Sequence, residues 1–480
     1  MNTLVMSPEP RVCVSTQAPN RQSLQETVFW GLAAIVTFHV AYAWTSASWL
    51  IALYVFAMAQ LSRAATGRRA FYAGFVVGMF IAVGQLTFFW GIFSAAAIPL
   101  WTVYAFWLGL FTVLARQCLV RFGGWAIWLL PFLWCGLEYF RSELYYLRFS
   151  WLSPGYAFGG APSYAPIASL GVYGAGFVLM LISCCACAIW ARSRFKALIV
   201  LAILMGLFCA AARVPPLQNT SRPTRGLKVA GIQLEFSTEK EVLRWLNELA
   251  RVHPEAELLV LSEYTLSEPP SEALKAWCRG HRRFLIVGGK DPVSNGNFYN
   301  TAFVISPEGE IAFRQVKCVP IQFFKDGLPA PEQKLWDSPW GKLGICICYD
   351  LSYARVTDPL IRMGAEGLIV PTMDVADWGK RQHEMHARVG PIRAAEYRLP
   401  IFRLASSGIS QAIDPAGKVL ATAPCPGNTS MLAATLPLTD SARRPIDRWL
   451  APLSTGIAGA LLLATLIPSG VLSRKLPPAC

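Results

Sequence analysis

Apolar and polar positions divide the chain into two unlike parts. Residues 28–213 are long apolar runs separated by short polar or basic stretches, whereas residues 225–440 alternate short apolar segments with amphipathic ones. A helix that crosses a bilayer needs about 20 predominantly apolar residues. The runs therefore predict seven membrane spans before the second part and one after it: 28–44, 47–62, 71–94, 97–115, 124–140, 164–191, 197–213 and 451–472.

The second part has the pattern of an α/β domain. Residues 227–234 and 256–264 are short and apolar, as in buried strands, and an amphipathic helical pattern at 239–252 lies between them. Residues 300–318 predict a hairpin that turns at Pro-Glu-Gly, and residues 384–398 predict a helix despite Pro391. Strands that alternate with helices predict a layered sheet with helices outside.

The segments outside these two parts are polar. We expect residues 1–27 to be a disordered N-terminus on the cytoplasmic side and residues 214–224 to be a linker. The catalytic candidate domain then extends over 225–440, and the helical domain over 28–213.

Basic residues predict the orientation in the membrane, because loops rich in Lys and Arg stay in the cytoplasm. Basic residues occur in three loops between the predicted spans and after the last span: Arg63, Arg68, Arg69, Arg116, Arg121, Arg192, Arg194, Lys196, Arg474 and Lys475. The 141–163 loop and the whole 214–450 segment are therefore expected on the outer side.

Composition agrees with a membrane protein, since 54% of the residues are hydrophobic and only 15% are charged. The net charge of +14 does not indicate nucleic acid, because the α/β part has no basic run with interleaved aromatic residues. The 13 cysteines form neither a zinc-ribbon spacing nor a readable disulfide framework, so they do not fix the compartment.

Two cysteines stand out in "GKLGICICYDLSY" (341–353). Cys346 and Cys348 are two apart and would share one face of a strand. Cys348 is expected to be the last strand residue before a turn into a helix, where a nucleophile is exposed and backbone N–H groups can form an oxyanion hole. Cys346, between two isoleucines, is expected to be a buried structural residue.

A thiol nucleophile needs a base. His383 and His386 are three apart on a predicted helix, but they lack the H-E-x-x-H spacing, and we expect no metal ion and no cofactor. Glu263 and Lys317 each end a predicted strand. Strand ends that bring Glu, Lys and Cys together would form an acyl-transfer site, with Glu263 as the base, Lys317 stabilising the oxyanion and Cys348 attacking.

These motifs resemble a known superfamily. Residues 225–435 are similar to the nitrilase (carbon–nitrogen hydrolase) superfamily in "VAGIQLEF", "LVLSE", "SPEGE", "GICICYDLSY" and "IRAAEYRLPIFRLASSG". The membrane part, with "WCGLEYFRSELYYLRFSWLSPGYAF" (134–158), resembles the apolipoprotein N-acyltransferase family. That resemblance implies a multi-pass helical membrane domain and an extracytoplasmic αββα sandwich, in the inner membrane of a bacterium.

The resemblance also implies the reaction. Cys348 would take an acyl chain from a membrane phospholipid as a thioester and pass it to the amine of the diacylglyceryl cysteine of an apolipoprotein. It implies that the N–H of Tyr349 helps to hold the oxyanion, and we expect a monomer. Two alternatives stay open: a membrane-tethered amidase or acyltransferase with another lipid or amine, and a catalytically lapsed protein that binds lipid.

The chain departs from the family near the lysine. The family's lysine register falls on Gln315, so Lys317 is assigned, with Lys325 as the rival. The family's second Glu falls on Phe323, and the nearest acid is Asp326.

Further positioning candidates come from the same resemblance. Asp350 stands where Glu usually follows Cys-Tyr, Trp378 would either contact lipid or be a packed loop residue, and Glu396 would either orient the lysine or be structural. A charged group at the outer end of the fifth predicted span would contact a lipid head group or be a solvated interface: Glu138, Arg141 and Glu143.

Overall fold

A computed structural model describes residues 22–213, 225–427 and 429–467. Its first part contains eight α-helices: α1 Leu24–Ala43, α2 Ile51–Leu61, α3 Gly67–Gln85, α4 Phe88–Phe93, α5 Ala97–Phe122, α6 Leu130–Tyr139, α7 Ile167–Trp190 and α8 Arg194–Ala211. A 3₁₀ turn joins α4 to α5, and a π-helical turn, Phe140–Leu144, extends α6. The last helix of the described chain, α14, is Asp447–Leu466.

Five helical segments are long and apolar enough to cross a membrane by length and composition: Leu24–Ala43, Phe88–Phe122, Ile167–Trp190, Arg194–Ala211 and Asp447–Leu466. The other three predicted spans differ from the predicted bounds or from a single helix. Ile51–Leu61 follows a 3₁₀ turn, and 124–140 is divided between 3₁₀ and α-helix. Gly67–Gln85 is one helix, but it includes Arg68 and Arg69 and ends before the predicted limit at residue 94. Such local changes of helical type do not alter the apolar pattern, so the sequence could not predict them.

The first helix begins earlier than expected. Ser23 caps α1 by accepting from the N–H of Glu26, and the Glu26 carboxylate accepts from the N–H of Ser23. This capping box stabilises a helix start, so the prediction of disorder up to residue 27 is wrong for residues 22–27. Residues 1–21 of that prediction, the linker 214–224 and the basic pair at 474–475 lie outside the described residues.

The second part contains two six-stranded sheets. The first has the order β12-β1-β2-β3-β4-β5, from strands β1 Arg225–Ile232, β2 Leu258–Val260, β3 Phe284–Pro292, β4 Phe298–Ile305, β5 Ile311–Val316 and β12 Met431–Leu438. The second has the order β11-β10-β9-β8-β7-β6, from strands β6 Leu335–Ser338, β7 Gly341–Ile345, β8 Gly367–Thr372, β9 Ile401–Ala405, β10 Ser410–Ile413 and β11 Val419–Ala423. β4 pairs with β5 in antiparallel register, which confirms the predicted hairpin.

Each sheet is parallel in its middle and antiparallel at its edges. The sheets face one another and the helices α9 Glu239–Val252, α10 Glu272–His281, α11 Ala354–Arg362, α12 Lys380–Ala387 and α13 Val389–Tyr397 flank them. The predicted helix 384–398 is divided at Arg388 into α12 and α13. Parallel strands buried on both faces place their carboxyl ends at one edge of the sheet, which is where a site can form.

The two parts share a buried junction. Trp151, from the segment after α6, donates its indole N–H to Ser352 Oγ at 2.9 Å. Tyr42 of α1 donates its hydroxyl to the carbonyl oxygen of Ser153 at 2.8 Å, and this fixes the same segment to the first helix. The membrane helices therefore support the α/β domain directly.

Candidate active site

Cys348 begins a 3₁₀ turn, Cys348–Ser352, rather than ending a strand. The β7 ladder ends at Ile345, and Cys348 has a left-handed backbone conformation with φ of 53°. The prediction that Cys348 ends the strand is therefore wrong by three residues. A non-glycine residue in this conformation is strained, and such strain concentrates at functional sites. Both cysteines are buried, but of the two only Cys348 is among the residues that line the cleft described below.

Asp350 holds this turn against the segment that follows β5. Its carboxylate accepts hydrogen bonds from the N–H groups of Val319 at 2.7 Å, Cys318 at 3.1 Å and Ile347 at 3.2 Å. Burial raises the pKa of Asp350 to about 6, against the opposing effects of Lys317 and of these hydrogen bonds. Asp350 therefore connects the cysteine turn to the lysine segment.

Lys317 lies between two carboxylates. Its Nζ is 2.8 Å from Glu263 Oε1 and 2.7 Å from Asp326 Oδ2, and all three side chains are buried. Asn300 donates its side-chain N–H to Glu263 at 2.6 Å and to Asp326 at 3.0 Å. We call Lys317, Glu263, Asp326 and Asn300 the lysine cluster. Burial lowers the pKa of Lys317, but the two carboxylates outweigh it and hold the pKa well above its usual value.

Two members of this cluster were not assigned from the sequence. Asp326 takes the place expected for a second acid at Phe323, which is exposed instead, and the rival lysine, Lys325, is also exposed. The only signal for Asp326 was that it is the nearest acid after Lys317. Asn300 had no signal, because an amide within a strand does not indicate where it points.

The Cys348 thiol lies beside the lysine cluster. Its sulfur is 3.7 Å from the carbonyl oxygen of Met373, and the N–H of Met373 donates to Glu263 Oε2 at 2.9 Å. Burial, followed by the charge of Glu263 and a hydrogen bond to its carboxylate, raises the pKa of the thiol well above its usual value. The thiol therefore keeps its proton to a higher pH than an ordinary cysteine, and Glu263 is the carboxylate that interacts with it most strongly.

A cleft that is partly open to solvent lies beside Cys348 and Tyr349. Membrane helices α4 and α5 form one wall with Phe89 and Trp107, and the 321–324 segment forms another with Phe323 and Phe324. Trp378 also lines the cleft, and its ring lies 6.1 Å from that of Phe324. The aromatic walls of the cleft are typical of a site for an apolar ligand.

Glu396 lies away from the lysine, contrary to one of its two predicted roles. Its carboxylate pairs with Arg393 at 2.5 Å and with Arg448 at 3.3 Å, and it accepts from the N–H of Val172 at 2.8 Å. Arg448 also pairs with Asp358 at 2.8 Å. We call the following five residues the junction cluster: Asp358, Arg393, Glu396, Asp447 and Arg448. This cluster joins α13 to α14 and α7.

The charged group near the end of α6 is buried rather than solvated. Arg141 lines the cleft and donates to the carbonyl oxygen of Phe149 at 2.8 Å. Glu143 accepts from the N–H of Ala354 at 3.1 Å and from the Tyr173 hydroxyl at 3.0 Å, and Glu138 is also buried. Glu143 therefore helps to support the cysteine turn from the membrane side.

The two histidines of α12 belong to a different arrangement. His386 Nδ1 is 2.7 Å from Asp374, which also pairs with Arg403 at 2.5 Å, and the imidazole stacks on Trp151. His383 is fully buried, and neither of its ring nitrogens has a hydrogen-bond partner among the described residues.

Comparison with known proteins finds similarity over both parts of the chain. A family model described as carbon–nitrogen hydrolase matches residues 228–444, and one described as apolipoprotein N-acyltransferase N-terminal domain matches residues 28–185. An apolipoprotein N-acyltransferase of Geobacter metallireducens is 25% identical over 74% of this chain and 79% of that protein. A deaminated glutathione amidase of Dictyostelium discoideum is 30% identical over 31% of this chain and 59% of that protein.

Among solved structures, a carbon–nitrogen hydrolase from Helicobacter pylori is similar, with 18% identity and a TM-score of 0.40, over 51% of this chain and 95% of that one. The carbon–nitrogen hydrolase match indicates a nitrilase-like α/β domain, and it is joined to a domain of apolar helices. Taken together, the two matched regions make most of the chain similar to apolipoprotein N-acyltransferases, and this similarity supports an N-acyltransferase function.

Proposed function

We propose that this protein transfers an acyl chain from a membrane phospholipid to the amine of the diacylglyceryl cysteine of apolipoproteins. One observation carries the proposal: Cys348 lies on the wall of an apolar cleft that the membrane helices share, with Lys317 and Glu263 behind it. A cleft bounded by membrane helices is suited to a lipid acyl donor, because the acyl chain can enter without crossing water.

In the first half-reaction, the Cys348 sulfur attacks the ester carbonyl carbon while Glu263 accepts the thiol proton. The negative charge that develops on the carbonyl oxygen is stabilised by the Lys317 ammonium and the N–H of Tyr349. The carbon–oxygen bond to the glycerol then breaks, and Glu263 returns the proton to the departing lysophospholipid. A thioester on Cys348 remains.

In the second half-reaction, the neutral amine of the acceptor cysteine attacks the thioester carbonyl. Glu263 accepts a proton from the nitrogen, the same donors hold the oxyanion, and the carbon–sulfur bond breaks. The proton passes to the sulfur, so the products are an amide and the free thiol. Asp326 and Asn300 position Lys317 and Glu263 through both steps.

The proposed location is the bacterial inner membrane, with the α/β domain in the periplasm and the protein acting as a monomer. The basic loops between the helices support this orientation, because they are expected on the cytoplasmic side. Both proposed substrates are lipids of the outer face of that membrane, where the cleft would open.

The test uses the full-length protein in detergent micelles with a phospholipid that carries a labelled acyl chain. The acceptor is a diacylglyceryl-cysteine peptide with a free amine, and the control is the same peptide acetylated on that amine. We expect label on the free-amine peptide alone, as a hydroxylamine-resistant amide, with ping-pong kinetics.

Two other results would contradict this proposal and select between its alternatives. Release of labelled fatty acid without transfer would indicate a hydrolase or amidase. Absence of both transfer and any enzyme-bound label would indicate a protein that binds lipid without reacting.

A further inference from the structure

Two arginines lie near the cysteine turn, and one of them, Arg148, lines the cleft. Arg148 lines the cleft together with Cys348 and Tyr349, and its carbonyl oxygen accepts from the Tyr349 hydroxyl at 3.2 Å. Arg355 is the second residue of α11, directly after the cysteine turn. Both guanidinium groups contact the ring of Tyr353, at 5.6 Å for Arg148 and 5.5 Å for Arg355. The ring of Tyr353 therefore contacts two positively charged side chains.

Neither charge is paired. Among the described residues, no carboxylate oxygen lies within 4.0 Å of either guanidinium, and Nε of Arg148 is buried without a hydrogen-bond partner. The buried arginines elsewhere in the α/β domain and junction, by contrast, pair with acids at 2.5 Å: Arg393, Arg403 and Arg448. Arg355 is exposed, but Nε of Arg148 is buried, and a buried donor without a partner is costly, so Arg148 calls for an acceptor.

The surroundings do not supply the missing negative charge. Burial and the charge of Arg148 both lower the pKa of Arg355. Glu143 and Asp350 oppose this lowering of the pKa by less than burial and Arg148 cause it, and their carboxylates already accept backbone N–H groups. Arg355 also stands at the positive end of the α11 dipole, where a cation is unfavourable. Three effects therefore favour an anion at this place.

We propose that Arg148 and Arg355 form a binding site for the phosphodiester of the lipid acyl donor. The inference rests on the proposed function, which it deepens by naming the group that fixes the donor beside the thiol. Guanidinium groups bind phosphate oxygens through paired, charge-assisted hydrogen bonds. Tyr349 connects the two sites, since its hydroxyl contacts Arg148 while its backbone adjoins Cys348.

The arrangement gives the donor a defined orientation. With its phosphate at the arginines, the ester carbonyl lies toward Cys348 and the acyl chain lies along the apolar walls of Phe89 and Trp107. Arg141 is a less suitable phosphate ligand, because it donates to Phe149 and its guanidinium lies over the ring of Tyr104 at 4.9 Å. The proposed site is thus the pair Arg148 and Arg355.

The experiment compares two acyl donors on the full-length protein. One is dipalmitoylphosphatidylglycerol in neutral detergent micelles, and the other is p-nitrophenyl palmitate, which carries no phosphate. The rate of thioester formation is measured for the wild type, Arg148→Gln, Arg355→Gln and the control Arg362→Gln. Arg362 is exposed at the other end of α11, so this control removes the same charge from the same helix.

We expect Arg148→Gln and Arg355→Gln each to lower the ratio of the phospholipid rate to the nitrophenyl ester rate by roughly tenfold or more. The half-saturating phospholipid concentration should rise, whereas Arg362→Gln should leave the ratio as in the wild type. An equal loss with both donors would show a merely structural role and would overturn the site, as would no loss with either.

Inorganic phosphate distinguishes the two sources of this anion. If millimolar phosphate raises the Tm of the wild type but the variants keep the wild-type half-saturation for phospholipid, free phosphate is the occupant and the lipid assignment is overturned. A wild type that forms no thioester with either donor would refute the proposed function. Thioester formation that is equal in all four proteins would refute the arginine site alone.

Discussion

The lysine cluster and the junction cluster are both buried groups of ion pairs, but they differ in their surroundings. The lysine cluster holds one cation between Glu263 and Asp326, and it adjoins a thiol on the wall of the cleft. The junction cluster holds two arginines among three carboxylates, and none of its residues is among the described residues that line the cleft.

The difference shows that burial and pairing alone do not indicate a reactive site. Arg448 contacts Asp358, Asp447 and Glu396, and it joins helices that belong to the two parts of the molecule. Arginine remains charged in such a place, which suits a structural contact. In the proposed mechanism, the lysine between two acids beside a thiol instead presents a cation to a reacting carbonyl oxygen.

The largest expected effect comes from Lys317→Met. This change removes the cation from the oxyanion site and leaves two carboxylates buried together, so thioester formation should fall by about 10³-fold. The rate of labelling by a phospholipid with a labelled acyl chain measures this loss. Lys325→Met is the matched control, because that side chain is exposed, and it should change the rate less than about twofold. A large loss with Lys325→Met alone would reverse the assignment.

Arg448→Met should lower stability rather than rate. Three carboxylates would lose a partner in a buried place, and breaking such a pair costs about 3–5 kcal/mol. Thermal unfolding of the detergent-solubilised protein should show a Tm lower by several degrees, whereas Arg444→Met, at an exposed position, should not. If Arg448→Met keeps the wild-type Tm but loses thioester formation, the distinction between the two clusters is wrong.

Asp326→Asn should have the smallest effect and a characteristic pH dependence. Asp326 and Glu263 together raise the pKa of Lys317, so removing one of them lowers that pKa. Lys317 must be charged to act, and the variant should therefore lose activity at a lower pH than the wild type on the alkaline side. Thioester formation between pH 7 and 11 measures this shift, with a loss of roughly tenfold at neutral pH. An unchanged alkaline limb would exclude Asp326 from the cluster.

Strand ends explain what could be predicted from the sequence. Glu263, Lys317 and Cys348 follow β2, β5 and β7, and apolar runs locate such strands, so the three residues could be selected by pattern alone. Their juxtaposition follows from sheet topology. The exact end of β7 could not be predicted from the sequence, because "GICIC" stays apolar while the backbone leaves the ladder at Ile345.

The irregular segments explain what could not be predicted. Asp326 lies in a segment without periodicity, which returns to the lysine because the N–H of Ala330 donates to the carbonyl oxygen of Lys317 at 2.8 Å. The cleft and the junction depend on contacts between distant parts of the chain, such as Trp151 with Ser352 and Glu396 with Val172. Local patterns carry no information about such contacts.

The central claim is that Cys348 carries the acyl chain. The most direct measurement is mass spectrometry of peptides from the full-length protein after incubation with a phospholipid and no acceptor, with Cys348→Ser and Cys346→Ser alongside. We predict a hydroxylamine-sensitive acyl group on the peptide at Cys348, retained in Cys346→Ser and absent in Cys348→Ser. An acyl group that persists in Cys348→Ser, on Cys346 or on Cys318, would contradict the account.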